Sequence, residues 1–364
     1  MTNSLNNIEI NSTRSIKQLE KYVSFAPQEK LELDKLIDSH PMSVNPYYLE
    51  LIDWDDPDDP IRKMAVPTLQ ERSLEGSFDT SGEQDDTRLR GLQHKYPQTA
   101  LVLCTNNCAM YCRYCFRKRL VGVALDEIAQ DWSGIVKYIT EHKEITNVLL
   151  SGGDPLTLKT DRVATMLDHL SGIDHLRYIR IGTRTPVVCP SRIVEDDKLA
   201  ATLKECIDRE KRIYITTQFN HPRELTSTSN EAISRLLDAH VIVNNQTVLL
   251  KGVNDDPVVM ADLQSSLTEI GVIPYYVFQC RPVKKVMSIF QVPLHRAVEI
   301  VEATKARLDG LGKRFRFVMS HETGKIEILG CIDDQLYFQY HQSKDPRLSG
   351  KLFHRKLSRD AGWL

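Results

Sequence analysis

The chain has 364 residues, of which 41% are hydrophobic and 26% charged, with a formal net charge of -2. That composition is ordinary for a soluble globular protein and allows one large domain or two. The near-neutral balance excludes a global field that would draw the chain to nucleic acid or a membrane surface. No apolar run approaches the roughly 20 residues of a membrane-spanning helix.

The opening stretch, MTNSLNNIEINSTRS, has no apolar core of a secretory signal, so the expected compartment is the cytoplasm. LEKYVSFAPQEKLELDKLIDSHP has helical periodicity and ends at a proline. DWDDPDDPIRKMAVP is acidic and proline-rich and reads as a surface connection. SFDTSGEQDDTRLRG is polar and reads as a loop. Residues 1–95 are therefore expected to form a helical, irregular N-terminal region.

From Thr99 the pattern changes. ALVLCT, NVLLSGG, YIRIGTRTPVV, RIYITTQFN, VIVNNQTVLLKG and PYYVFQC read as buried strands. Amphipathic segments of helical period lie between them. This alternation predicts an α/β fold, a partial TIM-like (β/α)6 barrel over residues 96–310. In such barrels chemistry gathers at the C-terminal strand ends. Gly152 to Asp154, Arg184, Gln218 to His221 and Gln246 are the polar groups expected there. Residues 311–364 form a small C-terminal extension, in which RFRFVMS, KIEILG and QLYFQYH read as short strands or hairpins. The closing LFHRKLSRDAGWL carries no assignment.

Of the eight cysteines, Cys108, Cys112 and Cys115 follow C-x-x-x-C-x-x-C spacing just after the first barrel strand. Clustering of this kind points to metal or redox work rather than disulfides. Three thiolates hold three irons of a 4Fe–4S cubane and leave the fourth open. That open iron suits the amino and carboxylate groups of S-adenosylmethionine (SAM), whose reductive cleavage yields a 5′-deoxyadenosyl radical. The cofactor carries the chemistry and the protein positions it. The plainer alternatives are a zinc site, which wants a fourth protein ligand that strand-bound Cys104 is badly placed to give, and cysteines packed as small hydrophobes. SGGDPL, Ser151 to Leu156, ends the next strand. Its glycines let backbone approach a ligand, here the SAM amino group.

CAMYCRYC, LLSGGDPL, IRIGTRTPVV, TTQFNHPRELT and NNQTVLLKGVND together resemble the lysine 2,3-aminomutase family of radical SAM enzymes, over roughly Tyr96 to Gly330. The resemblance implies migration of an amino group between adjacent carbons of an amino acid, with SAM, a 4Fe–4S cluster and pyridoxal phosphate (PLP). It places the cluster on Cys108, Cys112 and Cys115. SAM falls to Gly152, Gly153, Asp154, Gln218 and Gln246, with Gln218 standing where the family has a histidine. It sets Arg117 on the substrate carboxylate, a task suited to a guanidinium; the bland reading of FRKRL is a solvated basic run. It implies a small-molecule substrate, an electron donor such as flavodoxin or ferredoxin, and the oligomerisation common in the family.

The chain also departs from that pattern. Lys325 falls at the place of the lysine that holds PLP, but only Gly324 remains of the glycine run before it. A lysine at the start of a strand is also commonly a plain surface cation. Thr99 replaces the arginine for the PLP phosphate. Arg281 and Val318 replace the two aspartates that bind the distal ammonium of lysine. Arg281 would repel an ammonium and attract an anion, so a non-lysine, carboxylate-bearing substrate is expected; the alternative for Arg281 is an internal ion pair. An amino-acid aminomutase with Lys325 as its catalytic lysine leads. A PLP-independent radical enzyme acting on a small molecule or peptide follows, and then a non-catalytic iron–sulfur protein. With Cys331 alone in the C-terminal part, no zinc is expected there.

Overall fold

The computed structural model describes residues 11–123, 126–209 and 211–364. Among the described residues, twelve strands form one sheet in strict chain order. They are β1 (Thr87–Leu89), β2 (Leu92–Tyr96), β3 (Thr99–Thr105), β4 (Asn147–Gly152), β5 (Tyr178–Gly182), β6 (Arg212–Thr217), β7 (Ile242–Leu249), β8 (Ile273–Gln279), β9 (Arg316–His321), β10 (Gly324–Ile332), β11 (Gln335–Ser343) and β12 (Leu352–Lys356). Neighbours from β3 to β9 pair in parallel. The flanking pairs are antiparallel.

The N-terminal helices α1 (Pro27–Ser39) and α2 (Pro60–Ala65) precede the sheet. Six longer helices then make the parallel crossovers: α3 (Trp132–Glu141), α4 (Thr160–Ser171), α5 (Asp197–Asp208), α6 (Ser227–Asp238), α7 (Pro257–Glu269) and α8 (Leu294–Lys305). Parallel neighbours need such crossovers, because a tight turn cannot return the chain to the same end. Local chemistry sets where several begin. The Asp131 carboxylate accepts from Gly134 N at 2.9 Å ahead of α3. Asp196 accepts from Leu199 N at 3.0 Å ahead of α5. Asp256 caps α7, which starts on Pro257. Aspartate at the cap satisfies a backbone donor that the helix leaves open.

Strand alternation divides the sheet's two faces. In β7, Val243, Asn245, Thr247 and Leu249 are buried while Ile242, Asn244, Gln246 and Val248 are half-buried. Thr247 Oγ1 accepts from Gln264 of α7 at 3.2 Å, so the buried set faces the helices. Gln246 therefore faces inward, and from mid-strand rather than from the strand end expected of it. The sheet curls far enough that Lys95 Nζ of β2 donates to the His321 carbonyl of β9 at 2.9 Å. Lys344, just past β11, pairs with Asp86, just before β1, at 2.8 Å.

Several local expectations are corrected. The parallel run has a seventh strand: β9, read among the short strands or hairpins, pairs antiparallel with β10 and also joins β8 in parallel. The polar stretch read as a loop holds a helical turn, Glu83–Asp86, and β1. Every residue of β1 is exposed, so its strand identity comes from pairing with β2 rather than from burial. The proline-rich surface connection becomes α2, with Ile61, Met64 and Ala65 buried. The strand reading of YIRIGTRTPVV ends at Gly182; Pro186 then sits in the first turn of a short helix, Thr185–Val188, where a missing N–H costs nothing. The periodic N-terminal segment breaks before Pro27, where α1 starts. The unassigned tail supplies β12, and Gly362 O accepts from Gln279 Nε2 at 2.9 Å. Trp363 and Leu364 pack on a second apolar core under β9–β11 and α8.

Candidate active site

The loop after β3 carries Cys108, Cys112 and Cys115, all half-buried. The three act on one another electrostatically. Burial pushes the Cys108 thiol up, with Asp154, Cys115 and Cys112 adding to it. Burial and then Cys112 push Cys115 up to about 11. Among the described residues, no three His, Cys, Asp or Glu side chains close on a single ion. A cubane takes one thiolate per iron, so a looser triangle of thiols suits it. Arg184 Nη1 donates to Cys112 Sγ at 3.1 Å, placing a cation beside the anionic charge that thiolate ligation brings.

The loop is fixed by buried ion pairs. Arg113 meets Glu71 through two bonds, Nε–Oε1 at 2.8 Å and Nη2–Oε2 at 2.5 Å. Lys118 Nζ adds a third at 2.7 Å. Burial alone would raise the Glu71 carboxyl, but Arg113 and Lys118 overrule it and hold it down at about 2. Tyr111 N donates to Ser43 O at 2.8 Å and Arg113 N to Met64 O at 2.9 Å, which tie the loop to the N-terminal region. The run FRKRL is thus not a solvated basic stretch: Arg117 and Lys118 are both buried and paired.

The Gly-Gly-Asp turn presses directly on this loop. A Cβ on Gly152 would stand 2.2 Å from Thr105 O, and one on Gly153 2.2 Å from Asn107 O. Gly152 also has φ +123°, a backbone region that side-chain-bearing residues avoid. Gly153 N donates to Thr105 O at 2.6 Å and Asp154 N to Asn107 O at 2.7 Å. With those N–H groups engaged, carbonyl oxygens are what the turn has left for an ammonium. The Asp154 carboxylate is committed as well. It accepts from Thr183 Oγ1 at 2.6 Å, Arg184 N at 2.7 Å and Leu156 N at 3.0 Å. Its position is that of a brace between the β4 and β5 loops.

Gln218 follows β6, and its Oε1 accepts from Tyr114 OH at 3.5 Å. Its carbonyl accepts from Arg184 Nε at 3.1 Å. Arg184 also pairs with Glu224 and lies 5.4 Å above the Tyr48 ring and 5.6 Å above that of Tyr114. It links Cys112, Gln218 and the N-terminal region, a centrality that its place in IGTRTP only hinted at.

Arg117 Nε donates to Glu83 Oε1 at 2.9 Å and Nη1 to Ser151 Oγ at 3.0 Å. Arg119 holds the other Glu83 oxygen at 2.9 Å. Burial works against the Glu83 carboxylate, but Arg117, Arg281 and Arg119 keep it below the usual range. Sequence reading missed Glu83, because it lies in a polar run with no motif. Arg281 Nη1 donates to Ser81 Oγ at 2.9 Å, and its guanidinium lies 4.2 Å over the Phe116 ring. Burial lowers it to about 10, with Glu83 opposing that shift.

Lys325 opens β10. Its neighbours Ile326 and Ile328 face the second core, so the half-buried Lys325 faces inward rather than to bulk solvent. Its Nζ lies 4.3 Å above the Tyr276 ring and 5.7 Å above Phe278. Burial, then Arg180, Arg281 and Lys95, lower its pKa to about 7. Thr99 Oγ1 is engaged with the Asn147 side chain, and Val318 is fully buried.

A parallel, curled sheet with three thiols over its C-terminal end and a glycine turn beneath them defines the class. The sequence profile of the Radical SAM superfamily matches residues 102–263. An Aquifex aeolicus protein with a provisional L-lysine 2,3-aminomutase name is 44% identical over 346 residues, 94% of this chain and 92% of its own. The L-lysine 2,3-aminomutase of Acetoanaerobium sticklandii is 36% identical, covering 82% of this chain and 72% of its own. The glutamate 2,3-aminomutase of Clostridioides difficile is 36% identical, covering 83% and 70%. The chain belongs to the lysine 2,3-aminomutase family of radical SAM enzymes. It is an enzyme of the isomerase type, and a 4Fe–4S cluster and SAM come with the family. No helix among the described residues is long and apolar enough to cross a membrane.

Proposed function

We propose that the protein is an amino-acid 2,3-aminomutase whose substrate is not lysine but carries an additional carboxylate, with PLP held through Lys325. The observation that carries this is the setting of Lys325, an inward amine over an aromatic ring with its pKa lowered to about 7 among cations. A lysine of that kind holds a substantial share of free amine near neutrality, and the free amine is nucleophilic toward an aldehyde. Arg281 and the apolar Val318 support the substrate class, since neither stabilises a distal ammonium.

The cluster and SAM supply a hydrogen-abstracting radical, and PLP supplies an electron sink for the migrating nitrogen. The chain's own residues position. Cys108, Cys112 and Cys115 are the cluster ligands in this reading. The carbonyls of Gly152 and Gly153, with Gln218 and Gln246, line SAM, while Asp154 braces their turn. Arg117, oriented by Glu83 and Ser151, presents its remaining donors to the α-carboxylate. Arg281 offers charge to the distal carboxylate. The net reaction balances: the C2–N bond breaks and a C3–N bond forms, while one hydrogen moves from C3 to C2. The electron that starts it comes from a flavodoxin- or ferredoxin-type donor.

Anaerobic incubation with SAM, reductant and deuterated amino acids tests this. Deuterium in 5′-deoxyadenosine from a dicarboxylic amino acid, and none from lysine, is expected. Label from lysine alone would overturn the substrate assignment. Lys325→Ala is expected to abolish the visible absorbance of the PLP Schiff base and all isomerisation. Turnover that survives in Lys325→Ala would favour a PLP-independent radical reaction, the reading that Thr99, with no cation to offer a phosphate, supports.

A further inference from the structure

Arg180 stands in the middle of β5, between Ile179 and Ile181, which pack into the helix-facing core. Its own side chain therefore points inward, level with Leu149 of β4 and Tyr214 of β6. Arg180 as a whole is half-buried, while its Nε is buried and has no hydrogen-bond partner among the described residues. The ionisable groups acting on it are Tyr275, Tyr178 and Tyr276, phenols that carry no charge near neutral pH. Among the described residues, the fully buried arginines each meet a carboxylate: Arg113 meets Glu71, Arg117 meets Glu83, Arg184 meets Glu224 and Arg192 meets Asp196. Arg180 instead acts on Lys325, a like charge, and is the first of the cations pressing on it.

A guanidinium taken from water without a counter-charge is costly, and a buried donor left unpaired adds to that cost. Folds keep such groups where a ligand completes them. We propose that Arg180 anchors an oxyanion, a phosphate ester or a carboxylate, of the small molecule held at Lys325. That occupant rests on the proposed function; the anion site itself rests on Arg180 and its surroundings. The oxyanion supplies the missing counter-charge and an acceptor for Nε, and a planar guanidinium suits either group. Arg281, which faces Glu83 and bonds Ser81, is already partly compensated.

The test uses the full chain as wild type, Arg180→Gln and Arg180→Lys. Thermal unfolding is followed in rising inorganic phosphate and, separately, glutarate. Binding of PLP and of pyridoxal, which lacks the phosphate, is measured spectroscopically. Ligand-free Arg180→Gln is expected to melt no lower than wild type, since a stranded charge is removed. The anion-induced rise in Tm is expected in wild type, partly in Arg180→Lys, and not in Arg180→Gln. If the anion is the cofactor's phosphate, wild type prefers PLP over pyridoxal by about tenfold or more, and Arg180→Gln loses that preference. If only the glutarate response depends on Arg180, the anion is the substrate's carboxylate. An Arg180-dependent anion response in a wild type that binds no PLP would uphold the site and sink the cofactor. Equal anion responses in wild type and Arg180→Gln, or failure of both variants to fold, would overturn the proposal.

Discussion

The surroundings of the three cysteines and those of Lys325 handle buried charge in opposite ways. Around the cysteines the cations meet buried anions: Arg113 and Lys118 share Glu71, Arg117 and the half-buried Arg119 share Glu83, and Arg184 takes Glu224. Around Lys325 the cations Arg180, Arg281 and Lys95 press on the lysine, and Lys95 is held by the carbonyls of Ser81 and His321. The first region is complete as a mount; in the second, Glu83 acts on Arg281 and Asp86 on Lys95, but only phenols act on Arg180. A loop that must hold three thiols in place gains from closed ion pairs. A site that takes up an anionic molecule gains from leaving a cation such as Arg180 without a carboxylate.

The largest effect is expected at the thiols. Alanine at Cys108, Cys112 or Cys115 is expected to abolish stoichiometric iron binding and 5′-deoxyadenosine formation while the chain stays folded by circular dichroism. Full iron content in any of the three would remove that cysteine from the ligand set.

Next in size is the mount. Glu71→Ala leaves Arg113 and Lys118 buried without their anion, and breaking a buried pair in this way costs about 3–5 kcal/mol. Chemical denaturation of the full chain is expected to show a loss in that range. A change within about 0.5 kcal/mol, as at unremarkable surface sites, would mean that the pairs are not what holds the loop.

Glu83→Gln is milder. It keeps the shape but loosens Arg117, so KM for the amino acid is expected to rise about tenfold, with kcat changing much less. An equal fall in kcat and in kcat/KM would place Glu83 in the chemistry itself.

The smallest effect is a shift in pH midpoint. Burial and neighbouring cations disfavour the charged form of Lys325, so its free amine is expected to appear on raising the pH through about 7 rather than in the usual lysine range. Removing the like charge in Arg180→Gln relieves one cause, so the midpoint is expected to move upward. Reductive methylation of Lys325 across pH, read by mass spectrometry, gives both midpoints. A downward or absent shift would mean that Arg180 does not act on Lys325.

The barrel was legible in the sequence because its strands and helices bury whole faces, and burial leaves a period in the residues. Leu199, Leu203 and Cys206 of α5 show it, as does the alternation along β7. The thiol spacing and the Gly-Gly-Asp turn were legible because each is local in sequence. Features set by distant partners were not. The exposed β1 exists through pairing with β2, and β9 joins the parallel run only through its register with β8. Asp154 read as a ligand, yet its oxygens serve Thr183, Arg184 and Leu156. Glu83 and Arg180 gave no signal, since a glutamate in a polar run and an arginine in an alternating strand both look like surface. Only the folded chain shows the first paired by two arginines and the second without a counter-charge.

Labelling with the cofactor tests Lys325 as the covalent hold for PLP most directly. The full chain, incubated with PLP, reduced with borohydride and mapped by peptide mass spectrometry, is expected to carry one pyridoxyl group, on Lys325. A pyridoxyl group on another lysine, or none above the level of free surface lysines, would contradict it.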